Sequence, residues 1–246
     1  MLMTIYKRAF AVLMKKPLKL WGISLLSIVL SFALNALCGV AIPVLGLSVS
    51  LLLSTSMTII YLRGYRGEQV STTQLFECFA NWSTIKRVVL GMGWMALWIF
   101  LWALIPIVGP IFAIIRVYRY RLTPYILVFE PDVSITDAIK VSEYRTHGYK
   151  LQMWLADFVF ALICAGVVIV LTLLTMIPIL GILFGLVLFL FYIAIVALSP
   201  LFVGLVRAAF YEEINNKFAS VTYCATCNSP LSPDAAFCPT CGNPVQ

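Results

Sequence analysis

The sequence contains little charge and almost no histidine. Of its 246 residues, 17 are Lys or Arg, 10 are Asp or Glu and one is His, so that 11% are charged while 62% are hydrophobic. Soluble domains carry about 25% charged residues, so this composition excludes an ordinary soluble domain and is typical of an integral membrane protein. In such a protein the net charge of +7 reports loop orientation first, and not nucleic-acid binding.

Groups that catalyse reactions are also scarce. The one histidine, His147, lies in a polar connection, where we expect a surface position. The sequence has no nucleophile–base set, paired-carboxylate site, phosphate-cradling glycine loop or nucleotide signature. Cys38, Cys78 and Cys164 are scattered in apolar stretches, which is typical of buried free thiols. We therefore expect a protein that is not an enzyme.

The N-terminus lacks the pattern of a cleaved signal peptide. Its basic residues precede an apolar run that is too long for the hydrophobic region of such a peptide. We interpret that run as a first transmembrane helix that stays in place.

Six apolar runs are long enough to cross about 30 Å of hydrocarbon, which takes about 20 residues. They span residues 20–42, 44–62, 88–105, 107–129, 151–177 and 179–206. The predicted fold class is therefore an all-α polytopic membrane protein, with six spans arranged as three hairpins and a small C-terminal zinc ribbon of β-hairpin knuckles.

The three predicted hairpins turn at the same pattern, Ile-Pro, two aliphatic residues and Gly, which begins at Ile42, Ile105 and Ile177. Proline ends a helix and glycine permits a sharp reversal. Its recurrence predicts an internal repeat of three units, approximately residues 1–66, 67–129 and 130–210. Convergent turn usage in an apolar chain is the alternative.

A short amphipathic stretch precedes each hairpin, which strengthens the prediction of a repeat. The third begins with Ser134-x-x-Asp137, a pattern that resembles a capping box. Helices of this kind tend to lie in the plane of the lipid headgroups. Their apolar positions are Ile5, Ala9, Phe10 and Leu13, then Leu75, Phe76, Phe79 and Trp82, then Ile135, Ala138 and Ile139.

The basic residues predict the orientation. The N-terminal arm has five of them and no acid, and the connections at 63–87 and 130–150 hold seven more, whereas the Ile-Pro turns carry no charge. The positive-inside rule then places both termini in the cytoplasm of a multi-pass plasma-membrane protein and the Ile-Pro turns outside.

Three arginines, Arg116, Arg119 and Arg121, follow Pro106 more closely than Arg63 follows Pro43. In a straight fourth helix Arg119 would lie near the middle of the bilayer, where arginine costs at least roughly 2.5–3.5 kcal/mol and needs a partner. Asp157 is the one acidic residue within a predicted span. Its pairing with Arg119 or Arg116 is one hypothesis. A shorter or tilted hairpin, whose arginines reach the interface, is the other.

The last residues hold two C-x-x-C pairs, Cys224 with Cys227 and Cys238 with Cys241. Two such turns facing each other supply the four thiolates that tetrahedral Zn²⁺ prefers. Gly242 follows the second pair, where positive φ lets backbone amides point at sulfur. Four protein ligands leave no open position, so we predict one structural zinc. Thiolates also require a reducing compartment, which agrees with a cytoplasmic tail.

Two segments resemble known families. The tail resembles the zinc-ribbon modules, of pattern Y-C-x-x-C-G and F-C-x-x-C-G, that are often attached to prokaryotic membrane proteins, and departs from them at Asn228. The segments 118–127, 137–142 and 148–150, with 209–212, resemble an uncharacterised family of bacterial integral membrane proteins. In that family a Tyr-x-x-x-Pro-Tyr-type helix precedes an alanine/isoleucine-rich helix that ends at a glycine. This resemblance implies a membrane architecture and no activity.

The predicted organisation is a transmembrane domain (1–210), a linker (211–222) and a zinc ribbon (223–246). We expect the ribbon to act as a protein-docking or regulatory module, because it has no Lys or Arg from Val221 onward and contains Asp234, which disfavours binding to phosphate. The expected partners are therefore the lipid bilayer and a protein. A transporter or channel with a pathway near Arg116, Arg119 and Asp157 is the alternative, and a lipid-handling protein is a third.

Overall fold

The structure is a computed structural model that describes residues 2–15, 18–41, 43–106, 108–178, 180–219, 222–223, 230–231, 237 and 242–243. Nine α-helices are found in these ranges: α1 (Leu2–Met14), α2 (Leu18–Ala41), α3 (Pro43–Arg66), α4 (Trp82–Ala103), α5 (Gly109–Arg119), α6 (Thr123–Phe129), α7 (Asp137–Arg145), α8 (Lys150–Leu174) and α9 (Gly181–Ala219). A 3₁₀ helix, Thr72–Phe79, lies between α3 and α4. The strands β1 (Thr222–Tyr223) and β2 (Pro230–Leu231) pair antiparallel.

Five helices in the described part are long and apolar enough to cross a membrane. They are Leu18–Ala36, Leu45–Arg66, Trp82–Ala103, Lys150–Leu174 and Gly181–Phe218. The apolar runs of the last two are not buried inside the protein, and their exposed side chains include Leu162, Ile169 and Phe189. Such a continuous exposed apolar surface is incompatible with water and compatible with lipid.

The predicted count of six spans is not confirmed, because the fourth predicted run, 107–129, is not one helix. It forms α5 and α6, of 11 and 7 residues, and each is too short to cross about 30 Å of hydrocarbon. Pro124 lies in the first turn of α6, where proline is favoured because its missing N–H has no helical partner. The same proline disfavours continuation of α5 through Thr123.

The second and third Ile-Pro turns have the same hydrogen bonds. The Gly109 amide donates to the Ile105 carbonyl (3.0 Å) and the Gly181 amide to the Ile177 carbonyl (2.8 Å). A Cβ atom at either glycine would collide with a backbone carbonyl at the end of the preceding helix, which explains why glycine is needed there. In the first hairpin the second helix begins earlier, at Pro43. The threefold repeat stays a prediction.

The three amphipathic stretches all form short helices, with a different buried face from the one predicted in two of them. In α1, Ile5 and Ala9 are buried but Phe10 is exposed. In the 3₁₀ helix, Leu75 and Cys78 are buried, as three residues per turn requires, while Phe76 and Trp82 are exposed. The third stretch is confirmed in part. Ser134 Oγ accepts from the Asp137 amide (3.1 Å) and donates to its carboxylate (2.7 Å), and Ala138 and Ile139 are buried, whereas Ile135 is partly buried.

The protein core lies at the end of the bundle away from the Ile-Pro turns. There α3 packs against α2, the 3₁₀ helix, α4 and α6. The largest fully buried side chains of this region are Leu20, Leu53, Ile60, Leu62, Leu75, Tyr125, Ile126 and Leu127. The helix α1 is held by the Tyr6 hydroxyl, which donates to the Ala156 carbonyl, and by stacking of Tyr6 on Phe202 (ring centroids 5.7 Å apart). Burial raises the pKa of Tyr6.

The chain divides into two compact units, Met1–Ala209 and Phe210–Gln246. The helix α9 continues through Ala219, so the predicted linker 211–222 is helical over most of its length. In the second unit β1 and β2 flank residues 224–229, with Thr222 opposite Leu231 and Tyr223 opposite Pro230.

Candidate functional site

The break between α5 and α6 is held by a hydroxyl of α7. Ser142 Oγ accepts from the Leu122 amide (3.1 Å) and donates to the Arg119 carbonyl (2.9 Å). The hydroxyl of Thr146, the residue after α7, lies 3.1 Å from the same carbonyl but has a closer acceptor in the Ser142 carbonyl (2.8 Å). Both hydroxyl residues are buried. Backbone groups released by a helix break need such partners when they leave water. The interruption is therefore a built feature that fixes where the next arginines lie.

Glu143 of α7 pairs with two arginines of α5. Its carboxylate accepts from Arg116 (3.2 Å) and from Arg119. The Arg116 guanidinium also lies over the Trp102 ring, 4.9 Å from its centroid. The hypothesis that Arg116 or Arg119 pairs with Asp157 is therefore wrong. It assumed one straight helix, whereas α5 ends at Arg119 and brings both arginines to the level of α7.

Asp157 of α8 pairs instead with Arg121, which lies within the break. Arg121 Nη2 donates to both carboxylate oxygens (3.0 and 2.7 Å), and the Tyr118 hydroxyl donates to the same carboxylate (3.1 Å). The Arg121 and Asp157 side chains are 10% and 28% exposed. The sequence correctly singled out Asp157 as the acid that needs an arginine, but could not choose the arginine.

Further arginines at this end of the bundle connect short helices. Arg145 pairs with Glu130 (2.5 Å). Arg87 of α4 donates to the carbonyls of Leu127 (2.8 Å), Glu130 (2.6 Å) and Val133 (2.5 Å). Because the last carbonyls of α6 have no helical donor, one guanidinium satisfies the end of that helix. Sequence reasoning missed this role for Arg87.

Arg63, at the end of α3, holds the 3₁₀ helix through Glu77 (2.5 and 2.8 Å). The hydrogen bond from Arg63 lowers the pKa of Glu77. Cys78, the next residue, is buried, and burial raises the pKa of its thiol. Cys78 is therefore a buried free thiol, as predicted. Cys164 is only partly buried, unlike the prediction, and the Cys38 side chain lies outside the described residues.

His147 is exposed in the turn after α7, as predicted for a surface histidine. Its amide donates to the Tyr144 carbonyl (3.1 Å). Gly148 follows with φ +85°, a backbone conformation that favours glycine.

A cavity of about 580 Å³ lies between α2, α3, α6 and α9. Its lining includes hydroxyl groups from all four helices and the side chain of Arg207. It does not include Arg116, Arg119 or Asp157, the residues of the predicted pathway. Sequence reasoning missed this cavity. The available signal was the helical spacing of Ser27 and Ser31 on α2 and of Ser54 and Thr58 on α3.

The four cysteines of the predicted zinc site, Cys224, Cys227, Cys238 and Cys241, lie outside the described residues. Two described features of the tail bear on them. Gly242 has φ +74°, the positive value predicted for the residue after the second pair. The β1–β2 pair flanks the first pair of cysteines. The zinc ribbon stays a prediction.

The fold defines a helical protein with at least five helices, among the residues described, that are suited to a membrane. Comparison with protein-family models, with curated proteins and with solved structures finds no match to this chain. The resemblance to an uncharacterised membrane-protein family therefore stays a prediction, and function has to be argued from the residues themselves.

Proposed function

We propose that this chain is a non-catalytic integral membrane protein whose cytoplasmic tail, 223–246, is a structural zinc ribbon that docks or regulates a protein partner. The membrane part would hold the ribbon at the inner surface of the plasma membrane. The proposal rests on two observations. One is the set of cysteines in the tail, which comes from the sequence, and the other is the set of ion pairs that the charged residues of the membrane part form with one another.

The observation that carries the proposal is that the arginines near Asp157 are used within the protein. Arg116 and Arg119 share Glu143, and Arg121 holds Asp157. Charges that line a transport pathway have to exchange partners with a substrate, whereas these connect α5, α7 and α8. These ion pairs favour a packed layer of helices at that position. They argue against a transport pathway there, which was the alternative function.

The donor set of the tail fits zinc. Four cysteines in two C-x-x-C pairs match a closed tetrahedral site, and positive φ at Gly242 is compatible with a turn whose amides face sulfur. When bound, the metal would supply folding energy and no catalysis, because binding on the order of 10–16 kcal/mol far exceeds what so short a segment can gain by burial. Cys224, Cys227, Cys238 and Cys241 would hold it as thiolates.

A protein is the partner that the tail chemistry favours. A nucleic-acid module neutralises phosphates with Lys and Arg, and the tail has none from Val221 onward. The exposed Phe237 side chain, at 65%, is an apolar group of the kind that protein interfaces bury.

Cross-linking and co-purification of the full chain test this function. The comparison is with a chain that ends at Ala219 and with a full chain whose four cysteines are serine. We expect about one zinc per chain, measured by elemental analysis, in the native protein alone, and loss of the same partners in both variants. Identical partners in all three proteins would show that the ribbon is not the docking element. A native chain without zinc would show that the tail does not hold the metal.

A further inference from the structure

The cavity between α2, α3, α6 and α9 contains an arginine that the protein itself does not neutralise. Within the described part of the chain, no carboxylate lies at ion-pair distance from the Arg207 guanidinium. The Arg207 side chain is accessible to a water-sized molecule, yet protein atoms surround its guanidinium on most sides. A side chain that lines a cavity has both properties. Arg207 differs in this from the paired arginines of the neighbouring layer.

The local charge is unbalanced. Arg207 lies in the electrostatic field of Arg121 and Asp157. Asp157 already accepts two hydrogen bonds from Arg121 and one from Tyr118. Arg121 therefore neutralises Asp157, and the positive charge of Arg207 is left in excess. In a region of low dielectric such a charge strongly favours an anion.

The walls of the cavity are of two kinds. Near Arg207 they include the hydroxyls of Tyr61 and Tyr125, and further along α2 and α3 those of Ser31, Ser54 and Thr58. Apolar side chains of α2, α3 and α9 complete the lining, namely Ile28, Leu53, Met57 and Val203. A ligand that fills about 580 Å³ of such space needs an anionic end and a long, mostly apolar body.

Arg207 lies at the depth of lipid headgroups. At about 1.5 Å per residue, roughly 39 Å of helix separate Gly181 at the Ile-Pro turn from Arg207, compared with about 30 Å of hydrocarbon. Two of the helices that border the cavity, α2 and α9, carry exposed apolar side chains, including Phe32 at 77% and Val196 at 62%. The cavity is therefore set in a surface suited to lipid, with its cationic end at the level of the phosphates.

From this geometry we propose that the cavity binds one anionic phospholipid of the leaflet away from the Ile-Pro turns. Its phosphate contacts Arg207, and an acyl chain lies along the hydroxyl-lined groove between α2, α3 and α9. A net-negative headgroup is required because Arg207 carries the uncompensated charge. This inference does not depend on the zinc ribbon.

Native mass spectrometry of the full chain, released from phosphatidylcholine nanodiscs that contain a minor fraction of phosphatidylglycerol, tests the proposal. We expect one phosphatidylglycerol retained per wild-type chain. Arg207→Gln should weaken its retention roughly tenfold to a hundredfold, as loss of a charge-assisted hydrogen bond predicts, and Arg207→Lys should weaken it less. Lys7→Gln is the matched control, because Lys7 is an exposed cation of α1 outside the cavity.

Two further arms identify the occupant. Ser31→Phe places a bulky ring in the groove, and should weaken lipid retention while Arg207 is unchanged. Inorganic phosphate, added in place of lipid, should not displace phosphatidylglycerol. Equal retention by the Arg207→Gln and Lys7→Gln proteins would overturn the site. Full retention by Ser31→Phe, or displacement by phosphate alone, would overturn a lipid as its occupant. Size exclusion and the apparent Tm verify that each variant is folded.

Discussion

Replacement of Asp157 by asparagine tests the ion pair between Arg121 and Asp157. Asparagine keeps the shape of the side chain and can still accept from the Tyr118 hydroxyl, so the change removes mainly the charge that faces Arg121. Removing one partner of a fully buried ion pair costs about 3–5 kcal/mol. Asp157 is 28% exposed and Arg121 10%, so solvent screens part of the loss. We expect a decrease in the free energy of unfolding of about 2–3 kcal/mol.

Unfolding of the purified full chain in mixed detergent and SDS micelles, followed by tryptophan fluorescence, measures this free energy. In a double-mutant cycle, Asp157→Asn should couple with Arg121→Gln by at least about 1 kcal/mol. Arg119→Gln is the matched control, since its partner is Glu143, and it should add to Asp157→Asn without coupling. Stability of Asp157→Asn within about 0.5 kcal/mol of wild type, or equal coupling with both arginines, would refute the reasoning.

Three other changes test the remaining geometry. Gly181→Ala should lower the free energy of unfolding by about 1–3 kcal/mol, because the new Cβ meets a backbone carbonyl of the turn; Gly185→Ala, which meets nothing within 4 Å, should be neutral or stabilising. Ser142→Ala should cost about 1–3 kcal/mol, since it leaves a buried amide of the α5–α6 break without its acceptor. The lowered pKa of Glu77 predicts a contribution to stability that is complete above its ordinary value of 4.5 and is lost as the pH falls through the lowered pKa. An unfolding series across that range should therefore be flatter for Glu77→Gln, and an unchanged slope would remove the Arg63–Glu77 pair as its source.

The helices that the sequence predicted best are those that depend only on a local pattern and not on contacts with distant segments. A run of about 20 apolar residues has to be helical in lipid, because no other arrangement satisfies its backbone. Residues 151–177 and 179–206 were predicted on this ground, and α8 and α9 follow them. The pattern at Ser134 and Asp137 is equally local, and one half of the predicted capping box forms, since Ser134 Oγ accepts from the Asp137 amide.

The predictions that were wrong or incomplete depended on contacts between distant segments. Arg119 was matched to Asp157 by depth in an imagined straight helix. The structure breaks that helix, because Ser142 of α7 accepts from the Leu122 amide and donates to the Arg119 carbonyl where the turn releases these backbone groups. The sequence contains Pro124, which permits the break, but not the position of α7, which stabilises it. The partner of each arginine followed from that break.

By itself, the sequence determined that this chain has helices suited to a membrane and that its basic residues lie away from the Ile-Pro turns. It also predicts a zinc site in the tail. Composition and spacing suffice for such inferences, because burial in lipid and metal coordination act on local patterns. Tertiary structure alone decided which arginines pair with a carboxylate inside the protein. It also decided that Arg207 lines a cavity. Pairing of charges depends on distances of a few ångströms between helices far apart in the chain, and no local pattern encodes those distances.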